Sequence, residues 1–122
     1  MPAQHLAAGR AAEESAAQHL HAHGLHMIQR NYRSAHGEID LIMRDGELLV
    51  FVEVRYRKTQ RYGRPAETVT RSKQRKLIVT AQHYLLSKQI PPSTMCRFDV
   101  VGIFSQTNDI EWIQDAFELS EP

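Results

Sequence analysis

The stretch GEIDLIMRDGELLVFVEVRYR, Gly37 to Arg57, decides the fold. Two runs rich in β-branched and apolar residues flank Asp45-Gly46, a dipeptide that favours a two-residue primed turn, so the stretch reads as a β-hairpin. Its second run, Leu48 to Val54, is apolar on both faces. Such a strand belongs at the centre of a sheet, with helices covering each side.

Working outward, Ala3 to His23 is rich in Ala, Gln, Glu and Leu and ends at Gly24, a helix with its stop signal. Leu25 to Arg33 alternates partially and reads as a strand closed by the Ser34-Ala35-His36-Gly37 turn. Beyond the hairpin, Lys58 to Val69 reads as a loop containing Gly63 and Pro65. Thr70 caps a helix running to about Lys88, which Pro91 and Pro92 end. CRFDVVGIF, Cys96 to Phe104, is a further strand and Ile110 to Ile113 a last one. The order α, β, β, β, α, β, β has no repeat and no linker. It predicts an α/β domain over residues 1–122, a mixed sheet flanked by helices.

The 122 residues suit one core, and a balance of 15 Lys+Arg against 14 Asp+Glu argues neither for nucleic acid nor against it. Cys96 is the single cysteine and has no internal disulfide partner. The opening MPAQHLAAGRAAEE carries charges where a signal peptide needs an apolar run. No stretch approaches the roughly 18 apolar residues that span a bilayer. A cytoplasmic protein is the expectation.

The chemistry starts from the hairpin register. With Asp45 and Gly46 as the central turn pair, Arg44 faces Glu47 and Asp40 faces Phe51. Alternation then sets Asp40, Glu53 and Arg55 on one side, with the two acids as diagonal neighbours roughly 7 Å apart. Two carboxylates at that spacing can share a divalent cation; without one they repel and lose hydration. Glu38, opposite Glu53 in this register, is a candidate outer acid.

Helix one supplies a third carboxylate. Leu6, Gly9, Glu13, Ala16 and Leu20 form one stripe, and if it packs on the face holding Asp40 and Glu53, Glu13 leans toward them, whereas Glu14 falls on the solvated side. Three hard oxygen donors suit Mg²⁺ or Mn²⁺ better than Zn²⁺. A cation of that kind polarises a phosphodiester and lowers the pKa of an attacking water. Arg55 stabilises charge but cannot act as a base, because guanidinium stays protonated. The plain alternative is that Asp40 and Glu53 are structural, paired with Arg55 or another basic group.

Arg55, Arg57, Lys58, Arg61, Arg64, Arg71, Lys73, Arg75 and Lys76 are nine positives in 22 residues, against one acid, Glu67. Tyr56 and Tyr62 are interleaved, so the tract offers phosphate contacts and rings for base stacking beside the acidic cluster. A charge run is more often only a solvated face. His19, His21 and His23 lack a third ligand and read as a solvated helix end. Cys96 reads as an inert thiol. Asp99 serves either as a support for the site or as a partner for a basic residue.

GRAAEE, the hairpin quoted above, RYGRPAETVT (residues 61–70) and CRFDVVGI together resemble the YraN-like family of small bacterial proteins over nearly the whole chain. That family is similar in fold to PD-(D/E)xK nucleases, especially archaeal Holliday junction resolvases. The resemblance implies a restriction-endonuclease-like core in which Glu13, Asp40 and Glu53 are metal ligands and Arg55 stands where the motif has lysine. It implies a metal-dependent endonuclease acting on DNA. A non-catalytic nucleic-acid-binding protein, a protein-interaction adaptor and a homodimer are the other expectations.

Overall fold

In the computed structural model, residues 2–58 and 68–118 are described, with side chains from residue 9 onward. The order is α1 (Pro2–Ala22), β1 (His26–Ser34), β2 (Gly37–Asp45), β3 (Leu48–Arg57), α2 (Arg71–Ser87), β4 (Cys96–Phe104) and β5 (Asp109–Phe117). The strands form a five-stranded sheet in the order β1-β2-β3-β4-β5. β3 pairs with β4 in parallel and every other pairing is antiparallel. The sheet is therefore mixed, with β3 at its centre, and α2 is the crossover that a parallel pair requires.

β3 sits centrally because both of its faces are apolar. Val50 and Val52 point, with Leu41, Met43, Val101 and Ile103, into a core covered by Ala12, Ala16, Ala17 and Leu20 of α1. Leu49 and Phe51 point, with Ile42, Phe98 and Val100, into a second core under Leu77, Ile78, Ala81 and Tyr84 of α2. Phe51 and Phe98 lie 5.3 Å apart between ring centroids, and Tyr84 meets Phe51 edge-on at 6.0 Å. Each buried aromatic contributes on the order of 2–3 kcal/mol of hydrophobic stabilisation.

Both helices end in the same way. Gly24 takes φ +97°, with its N–H on His21 O and the Leu25 N–H on Leu20 O, and Leu25 is buried below. This is the Schellman closure that a left-handed residue after the helix permits. At the end of α2, Gln89 takes φ +55°, its N–H bonds Leu86 O and the Ile90 N–H bonds Leu85 O. The second helix is thus closed by Gln89, two residues before Pro91. Thr70 caps its start, Oγ1 accepting the Lys73 N–H at 3.2 Å.

Two expectations need correction. The β2–β3 pairs run from Asp45↔Leu48 to Leu41↔Val52, so the central turn residues are Gly46 and Glu47 rather than Asp45 and Gly46. Gly46 alone takes the positive φ, +62°, which is what a turn with glycine in first place requires; Asp45 remains in the strand. The shift of two residues keeps every side chain on its expected face but moves Asp40 from diagonal to opposite Glu53. Glu38 moves away from Glu53 and pairs with Arg33 instead. The second correction concerns α1. Its buried stripe, Ala12, Ala16, Ala17 and Leu20, keeps Ala16 and Leu20 of the expected one but packs on the face of the sheet opposite Phe51 and Glu53, where the small alanines allow close approach. Gly9 and Glu13 fall at the margin of that stripe, and the side chain of Leu6 lies outside the described residues.

Candidate functional site

The β2–β3 ladder stops at Leu41↔Val52, and one step further Asp40 stands across from Glu53. Where the backbone of β2 no longer serves β3, the Asp40 side chain does: Oδ2 accepts the Val54 N–H at 2.8 Å. Glu53 is 5% exposed and on the α2 side of the sheet. Burial, reinforced by the charge of Glu53, pushes Asp40 up to about 8 against the pull of the Val54 N–H, with Glu13 and Glu38 adding to the push. Burial also raises Glu53, and the nearby charges of Lys73 and Arg55 oppose it. Asp40 therefore holds its proton at neutral pH, since burial and a facing acid both disfavour its ionisation.

Two cations meet Glu53 Oε2: Arg55 Nε at 3.5 Å and Lys73 Nζ at 3.9 Å. Arg55 follows from strand alternation. Lys73 comes from the first turn of α2, because the crossover from β3 to β4 starts its helix beside the carboxyl end of β3, the end where ligands gather in α/β sheets. The sequence reading placed Lys73 in a general basic tract and missed this contact. The capping threonine and the crossover were the signals that could have found it.

Glu13 is half-buried and its Oε1 accepts from Asn31 Nδ2 at 3.1 Å. It reaches Asp40 only as a charge that raises it. Glu14 is exposed and pairs with Arg30 at 3.1 Å. Among the described residues, no group of three or more His, Cys, Asp or Glu side chains is gathered so as to hold a metal ion. The acids stand as one opposed pair with Glu13 held apart by Asn31.

The basic tract divides. Arg57 and Lys58 are exposed at the end of β3. Arg71, Lys73, Arg75 and Lys76 lie on the first turns of α2, which carry no acid in the first turn. Positive side chains there oppose the helix dipole, so helix stability does not account for them. Arg61, Tyr62 and Arg64 lie outside the described residues.

Other candidates separate from this site. Asp99 is buried and takes four donors: Arg97 Nε at 2.9 Å, Arg97 Nη2 at 3.1 Å, Trp112 Nε1 at 2.9 Å and the Asp115 N–H at 3.0 Å. It is the partner of a basic residue and fastens β5 to β4 where their register shifts. His23 Nδ1 lies 2.8 Å from His19 O and His21 Nδ1 3.2 Å from Leu25 O, which ties both rings to the end of α1. Burial, then His23, lowers His19. Burial pushes the Cys96 thiol up, away from nucleophilic use. No helix of the described residues is long and apolar enough to cross a membrane.

Comparison with known proteins places this geometry in a family. The model of the uncharacterised protein family UPF0102 matches residues 12–103, from α1 through β4. A UPF0102 protein of Nitrosococcus oceani is 48% identical over 120 residues, covering 97% of each chain. One of Saccharophagus degradans is 49% identical over 119 residues, covering 98% of this chain and 99% of its own. A third, of Nitrosospira multiformis, is 50% identical over 113 residues, covering 92% and 93%. The chain belongs to the UPF0102 family, the YraN-like family its motifs resemble.

Proposed function

We propose that this protein is a metal-dependent nuclease that hydrolyses phosphodiester bonds in DNA. The observation that carries the reading is the opposed pair of half-buried Asp40 and buried Glu53, two acids that desolvation and mutual repulsion leave wanting a counter-ion. The donor set is two hard carboxylates with a third acid, Glu13, within electrostatic reach, which fits Mg²⁺ or Mn²⁺. Asp40 and Glu53 would hold the ion, and Glu13 would join them on leaving Asn31. When bound, such an ion polarises the phosphoryl oxygen and lowers the pKa of water.

The remaining work belongs to the chain. Asp40 releases its proton and keeps the Val54 N–H, so the carboxylate stays oriented. Arg55, beside Glu53, favours its charged form. The basic first turns of α2 draw the polyanionic backbone toward acids that would otherwise repel it.

The test is incubation of the protein with supercoiled, branched and single-stranded DNA, with and without Mn²⁺. Nicking that needs the metal and disappears in Asp40→Ala and Glu53→Ala is the expected result; nicking that survives both substitutions removes the reading. One observation favours a second reading, a DNA-binding module without turnover: Arg55 stands where the resembled motif has lysine. Salt-sensitive binding with no cleavage by any DNA form, and recovery of cleavage in Arg55→Lys, would select it.

A further inference from the structure

The two cations on Glu53 Oε2 are held in different ways. Arg55 is tethered: Nη2 donates to Thr68 O at 3.3 Å, Nε is buried without a hydrogen-bond partner, and the side chain is 19% exposed. One hydrogen bond and close packing leave the planar guanidinium little freedom to turn. The Lys73 side chain is 42% exposed and meets Glu53 only at 3.9 Å, beyond hydrogen-bond distance. Lys73 is the half-exposed member of a pair whose acid is buried, and a four-carbon stem with three rotatable donors swings without disturbing its helix.

We infer that the two cations have separate tasks: Arg55 is the fixed clamp of Glu53, and Lys73 is the cation that leaves Glu53 to contact a backbone phosphate of the nucleic acid. The inference rests on the reading of the protein as one that acts on DNA. Glu53 keeps one cation throughout, so the exchange does not strand a buried carboxylate. The phosphate that Lys73 reaches lies beside the acidic pair, because the ammonium starts from Glu53 itself.

The test uses a short DNA duplex as probe, with affinity read by fluorescence anisotropy in EDTA from about 50 to 200 mM salt. Lys73→Met lowers the slope of log affinity against log salt by about 0.9, the loss of one phosphate contact, and Lys73→Arg restores it. Arg55→Met loses thermal stability, since Glu53 then lacks its tethered cation. As an independent readout, Mn²⁺ affinity measured by EPR is unchanged or tighter in Lys73→Met, since a positive charge beside Glu53 has gone. A wild-type slope in Lys73→Met, or Mn²⁺ affinity that falls together with the slope, overturns the inference and leaves the nuclease reading standing. A wild-type protein that binds no DNA at low salt overturns both.

Discussion

Asp40 and Glu53 face each other at the point where β2 leaves β3, with the Asp40 carboxyl standing in for the missing backbone partner of Val54. The arrangement stores an unfavourable charge in the centre of the sheet. That charge has consequences for stability as well as for binding.

The first is a pH dependence. Asp40 titrates at about 8 in the fold and near 3.8 when unfolded, so the folded protein holds the extra proton between those values. Its contribution to stability is complete below the lower value and is lost as pH rises through 8. In metal-free buffer, urea unfolding is therefore expected to show lower stability at pH 8 than at pH 5. Asp40→Asn, which still offers an oxygen to the Val54 N–H, is expected to flatten that fall and to be more stable at pH 8 by on the order of 2 kcal/mol. A wild-type profile that is level or rising across this window contradicts the assignment.

Asp99 makes the opposite case, a buried acid that is fully satisfied. Its four hydrogen bonds bind Arg97, the Trp112 indole and the backbone of Asp115, which itself sits at φ +52°. Asp99→Ala leaves Arg97 buried without its partner and is expected to cost about 3–5 kcal/mol. The single tryptophan, Trp112, reports the change through its emission. Denaturant midpoints equal to wild type would show that the fastening is dispensable.

Gln89 closes α2 in the left-handed conformation at φ +55° without being glycine. A side chain there costs roughly 1 kcal/mol, so Gln89→Gly is expected to raise the melting temperature by a few degrees. A drop in melting temperature contradicts the closure described for this helix end.

Most of the architecture was legible because it follows from local signals. The apolar run Leu48 to Val54 gave the central strand, Gly24 gave the end of α1, and Thr70 gave the start of α2. The turn was harder. Asp45-Gly46 allows two placements of a two-residue turn, and they differ by two residues in register while leaving faces unchanged; only packing selects between them. The position of Glu13 was illegible for a related reason. Ala16 and Leu20 belong both to the stripe through Glu13 and to the buried one, and helical spacing alone does not say which face of the sheet that stripe meets. Lys73 was hidden by its neighbours, since nothing local separates one lysine of a basic run from the next.

Metal binding by the pair Asp40 and Glu53 is directly measurable. Calorimetric titration with Mn²⁺ at pH 7, in two buffers of different ionisation enthalpy, gives both affinity and the protons released. The account predicts release of about one proton per ion, with affinity lowered at least about tenfold in both Asp40→Asn and Glu53→Gln. Binding with no proton release, or binding that neither substitution weakens, would place the ion elsewhere and contradict it.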